Sequence, residues 1–119
     1  MSSVGVFVDR VIDHLEQVIQ EETSLLKSRQ AVDLYEFNNR KSQGLYNLGR
    51  ALLMLEGRKL ESSTLAKLES LRRALTANEA AISVHLHAVR EITDVISKAV
   101  RESESDGTYE APDPLRGKV

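Results

Sequence analysis

The apolar residues of this chain keep a helical period over most of its length. Between residues 64 and 101 there is no Gly and no Pro, and Leu68, Leu75, Ile82, Val89 and Ile96 recur every seven residues. Three positions on from each stand Leu71, Asn78, His85, Ile92 and Ala99. This is an a/d heptad seam with Asn78 and His85 at two of its d positions. A helix over 64–101 has about 38 residues and a length of about 57 Å at 1.5 Å per residue, so it needs other long helices beside it.

Two further helices are predicted upstream. Val4, Val8, Val11, Leu15, Val18 and Leu25 follow a heptad, and Ile12, Ile19 and Leu26 widen the stripe. This predicts a helix over 4–28 capped by Ser3, with Asp9, Arg10, Asp13, Gln17, Gln20, Glu21 and Ser24 on the polar face. The register is lost near Arg29. Asp33 is placed to cap a second helix over 34–55, with Glu36 at the capping-box position. Its stripe is Leu34, Phe37, Lys41, Gly44 or Leu45, Leu48, Ala51 or Leu52, and Leu55. No Pro or Gly lies between Leu25 and Leu34, so one bent rod over both segments is the alternative.

Gly57 is placed as the residue that ends the second helix, the turn covers 57–63, and Ser62 or Ser63 caps the third. After Arg101 the apolar period stops, and the acidic run 102–107 ends the helix. The segment 108–119 contains Pro112 and Pro114 and reads as a flexible tail. The expected fold is all-α. It is an elongated antiparallel bundle of three long helices over 1–101, or a long hairpin if the first two are continuous, followed by a flexible tail over 102–119.

Composition narrows the function. Charged residues make up 29% of the 119, aromatics only 4%, and the net charge is −2. Acidic and basic residues are interspersed, so there is no basic field for nucleic acid and no polybasic membrane patch. No apolar run is long enough to span a bilayer. The N-terminus lacks a basic region followed by a small-residue cleavage site. With no Cys, disulfides and thiolate metal sites are excluded. A cytoplasmic, cofactor-free protein is the expectation.

Candidate chemistry is sparse. His85 and His87 point about 200° apart on a helix and cannot share a metal. No Glu-x-x-His pair is present, and His14 has no acidic neighbour at ligand spacing on its own face. The two glycines of Gly44-Leu-Tyr-Asn-Leu-Gly49 lie inside a helical period, which is not the setting of a phosphate loop. These absences predict a protein that is not an enzyme. Asn78 and His85 either fix helix register or contact a client peptide. Lys41 can snorkel to solvent, pair with a carboxylate such as Glu22, or mark a partner site. Tyr109 stands alone in the tail; a lone aromatic there is most often without a role, and is also the usual form of a short docking motif.

The segment Ala31-Val-Asp-Leu-Tyr-Glu-Phe-Asn-Asn-Arg-Lys41, the third-helix residues Leu68, Leu71, Leu75, Asn78 and Ile82, and the ending Thr108-Tyr109 with a later Gly117 occur in that order. In these the chain resembles the FlgN-type flagellar export chaperones. It departs from their pattern by the Pro112-Asp113-Pro114 insert between Tyr109 and Gly117. The resemblance implies a small cytoplasmic chaperone of the flagellar type III export system, with the hook–filament junction proteins as clients and no cofactor. The implied client surface is Leu86, Val89, Ile92, Val95, Ile96 and Val100. Tyr109 is the implied contact with an export-gate component, and a monomer or weak dimer is the implied state. The alternative is a self-associating coiled-coil adaptor with no export role, in which Asn78 and His85 set the register between copies.

Overall fold

A computed structural model describes residues 3–106. It contains three helices, α1 (Ser3–Lys27), α2 (Leu34–Leu53) and α3 (Ser62–Asp106), and no strand among those residues. The chain divides into two units, Met1–Ile82 and Ser83–Val119. Residues 62–82 of α3 belong to the first unit and 83–106 to the second.

In the first unit α1 is the central helix. Its Val8, Ile12, Leu15, Val18 and Ile19 are buried, as the heptad reading requires. Phe37, Leu48 and Ala51 of α2 and Leu71 of α3 complete the buried apolar set. Leu68, Ala74 and Leu75 pack against that cluster from α3. Where the stripe of α2 had two options, Gly44 and Ala51 face the core, while Leu45 is exposed and Leu52 is partly buried.

Polar contacts set the direction of each helix. Thr64 Oγ1 donates to Asp9 at 2.8 Å, Lys67 Nζ to Asp13 at 2.7 Å, and Ser70 Oγ to Glu16 at 2.7 Å. Further along, Asn78 Nδ2 donates to Glu22 Oε1 at 3.0 Å. Both numbers rise together, so α1 and α3 run parallel. Between α1 and α2 the pairs Glu22–Lys41 and Leu15–Gly44 run the opposite way, so α2 is antiparallel to both. The hydrogen bond to Asp13 raises the Lys67 ammonium above its usual pKa.

The helix ends bear out two separate helices and the Asp33 cap, and correct other expectations. α1 does not continue into α2. Arg29 N donates to Leu26 O and Gln30 N to Leu25 O, with Arg29 left-handed at φ 59°. That is a Schellman ending with Arg where Gly is usual. Asp33 then caps α2, its side chain accepting from Glu36 N at 3.0 Å. Ser3 is the first residue of α1 rather than the cap before it.

α2 stops at Leu53, short of Leu55. Met54 is its C-cap, and Glu56 and Gly57 are both left-handed, so Gly57 serves the turn rather than the cap. The Arg58 side chain donates to the carbonyls of Leu55 and Met54, just beyond the end of the helix. Neither Ser62 nor Ser63 caps α3. Leu65 N donates to Glu61 O, so both serines already lie in the first turn. α3 does not end at Arg101 but continues through Asp106, since Glu and Ser are tolerated in a helix and nothing breaks it before Gly107. Of the tail expected over 102–119, residues 102–106 are helical and 107–119 lie outside the described residues.

One buried polar network joins the three helices. Lys41 Nζ lies 2.7 Å from Glu22 Oε1 and donates to Asn78 Oδ1 at 3.1 Å. Asn78 Nδ2 donates to Glu22 Oε1 and to Thr23 Oγ1, each at 3.0 Å. Thr23 in turn donates to Ile19 O at 2.9 Å. The Glu22 side chain is 1% exposed and that of Lys41 13%. Of the readings open for Lys41, pairing with Glu22 holds. Asn78, 3% exposed, has its amide bonded to both α1 and α2, as the register reading requires.

Lys41→Ala leaves Glu22 charged and buried without its partner, and urea unfolding should show a loss of about 3–5 kcal/mol. The triple change Glu22→Leu, Lys41→Met, Asn78→Leu should come out near neutral or stabilising, because desolvated polar groups are replaced by apolar ones. The glycines of α2 should behave oppositely. A Cβ at Gly44 would sit 2.7 Å from Leu15 Cδ1, whereas one at Gly49 would meet nothing within 4 Å. Gly49→Ala should stabilise by about 0.5–1 kcal/mol. Gly44→Ala should give a net loss of about 1 kcal/mol, because overpacking against a fully buried Leu15 exceeds the propensity gain.

Candidate interaction surface

With Lys41 and Asn78 held inside the first unit, the remaining candidates lie on residues 83–106 of α3. At 100° per residue, the apolar side chains of 84–100 occupy one continuous arc of about 200°. It starts at Val84 and Val95, passes through Ala88, Ala99, Ile92, Ile96, Val89 and Val100, and ends at Leu86. His85 and Thr93 are its polar members. Thr93 is already engaged, its hydroxyl donating to Val89 O at 2.9 Å. Every other polar residue of 83–101 falls on the opposite side.

The six residues expected to form a client surface all lie on this arc and are exposed, from 42% at Leu86 to 69% at Val95. Val84, which the sequence reading left out, is more exposed still. The same heptad in the first unit buries Leu71 to 3%. Continuity of the seam therefore does not mean continuity of burial. The second member of the expected site, Tyr109, lies outside the described residues.

The histidines do not converge. His14 is exposed, His85 is half-buried, and His87 Nε2 lies 3.6 Å from Glu91 Oε2 on the polar side. Among the described residues no group of three His, Cys, Asp or Glu side chains is placed to hold a metal ion. Grooves between helices of the first unit are open to solvent. One, between α2 and α3, is lined by Asn38, Ser42, Leu45, Leu75 and Ile82. Among the described residues no helix is long and apolar enough to cross a membrane.

A repeat in this segment escapes a search for heptads. Val84, Ala88, Val89, Arg90 and Glu91 are followed eleven residues later by Val95, Ala99, Val100, Arg101 and Glu102. Eleven residues make three turns with a drift of only about 20°, so each residue and its repeat mate share one face. The signal was the tetrapeptide Ala-Val-Arg-Glu, present twice. It places the arginines along the Leu86 border of the arc and the glutamates along the Val84 border.

No family model matches this chain, nor does any curated protein or solved structure.

Proposed function

We propose that this protein is a small chaperone of the flagellar type III export system, acting in the cytoplasm. It takes an amphipathic helical segment of a hook–filament junction protein on the apolar arc of residues 83–106. The observation that carries the reading is the exposure of Leu86, Val89, Ile92, Val95, Ile96 and Val100 on one side of a helix whose back is wholly polar. A contiguous exposed apolar face rimmed by polar residues marks a surface that another chain covers. Helix-in-groove or added-helix packing is the binding mode such a face serves. Its arc of about 200° is wider than the stripe of about 100° that packing on one neighbour requires, so there is room for more than one client helix.

The choice of client rests on the resemblance in 31–41, in 68–82 and around Tyr109. No catalysis enters the mechanism. Covering the client's apolar segment keeps it from associating early, and binding energy alone is enough. Tyr109, in the C-terminal segment, docks the loaded chaperone on an export-gate component.

Co-purification with a junction protein tests the division of labour. The pair Ile92→Asp with Ile96→Asp should abolish client capture while the helical signal in circular dichroism stays unchanged. Capture at the level of the unaltered protein would remove this surface from the account. Tyr109→Ala should retain the client and lose the gate component; loss of both would end the assignment of separate roles.

A further inference from the structure

The borders of the apolar arc are complementary to each other. Arg90 and Arg101 lie along one edge, with Glu104 at its C-terminal end, and Glu91 and Glu102 lie along the other. His87, Asp94 and Lys98 lie on the polar back between them. All these border residues are exposed, and among the described residues none of Arg90, Arg101 and Glu102 makes an ion pair, while Glu91 meets only His87. If copies of this helix stand parallel around a common axis, the basic edge of each meets the acidic edge of the next. The heights match as well: Arg90 and Glu91 are consecutive, as are Arg101 and Glu102, so in-register copies bring them level to within about 1.5 Å. Antiparallel copies would set arginine against arginine and glutamate against glutamate.

We propose that residues 83–106 form a parallel, in-register self-association surface that closes the apolar arc of the free protein. Its occupant is other copies of the same segment. The width of the arc fixes the kind of assembly. A two-stranded coiled coil covers a narrow a/d seam and leaves the flanking positions in water. Here the flanking positions hold Leu86, Thr93, Val100, Ala88 and Val95, so each helix lies between two neighbours and three or more copies are required. This departs from the monomer or weak dimer that the resemblance implies. The eleven-residue repeat supplies two equivalent layers about 16.5 Å apart, each with its own apolar set and its own Arg–Glu contact. Asn78 takes no part, being bonded inside the first unit. The inference rests on the arc being a protein-docking face, as proposed above, but not on which client occupies it.

Sedimentation equilibrium of the full chain should show concentration-dependent assembly to three or more copies. Glu91→Arg with Glu102→Arg turns the acidic border basic, and Arg90→Glu with Arg101→Glu turns the basic border acidic. Each double variant should weaken assembly by about tenfold or more, and an equimolar mixture of the two should restore it. Because the chain has no Cys, Ala88→Cys and Ala99→Cys report orientation cleanly. When the two single-cysteine proteins are mixed, 88–88 and 99–99 disulfides are expected. Mixed 88–99 disulfides in their place would establish antiparallel packing and overturn the proposal. So would a monomer at high protein concentration, or charge variants that assemble like the parent. An added junction protein separates this from the functional reading. Assembly that no client disrupts refutes the chaperone role and leaves the surface standing, and client capture by a strictly monomeric protein does the reverse.

Discussion

The Glu22–Lys41–Asn78 network is the constraint on which the bundle depends. Each helix contributes one member, and every other contact in the first unit is compatible with its geometry. Leu, Ile and Val faces specify that helices pack but tolerate sliding by a turn. A carboxylate at 1% exposure does not tolerate it, because a slip would strip it of both the ammonium and the amide. The ladder Asp9–Thr64, Asp13–Lys67 and Glu16–Ser70 keeps a similar offset, 54 or 55 residues against 56 for Glu22–Asn78. The close approach of Gly44 to Leu15 fits only when α1 and α2 are in that register.

Helix α3 then has two environments along one seam. Up to Ile82 its a/d residues meet α1 and α2, and Leu71 is lost from solvent. From Ser83 the seam continues with the same spacing, but the residues on it are exposed. Leu, Ile and Val at helical spacing are thus a record of what a helix is built to bury, not of what it has buried within its own chain. The distinction matters for function, because an arc already filled by its own bundle has nothing to offer a partner.

Much of the bundle could be read from residues alone. The start of α2 was legible because Asp33 followed by Glu36 is a local signal with a local cause. The core of α1 was legible because its period is unbroken from Val8 to Ile19. The break after α1 was legible as the loss of register near Arg29, but it did not exclude one bent rod, because Arg29 takes the left-handed conformation that normally calls for Gly. Pairing of Lys41 with Glu22 was one option among three, and only the meeting of three helices selects it. Asp9 and Asp13 read as part of the polar face of α1, yet both reach across to α3, as does Glu16. The candidate surface was visible as an apolar stripe, but its exposure was not. Its charged borders were in the sequence throughout, hidden by a heptad frame that an eleven-residue repeat does not obey.

Hydrogen exchange of the backbone amides can read whether α3 closes a bundle with residues 62–82 and keeps a face for another chain on residues 83–106. In dilute protein, amides of α1 and of residues 62–82 should be strongly protected, and those of 83–106 should exchange much faster, with the change falling near Ile82. Protection of 83–106 should then rise when protein concentration or a bound partner covers the arc. Equal protection along the whole of α3 in dilute, monomeric protein would mean that 83–106 is already covered within its own chain.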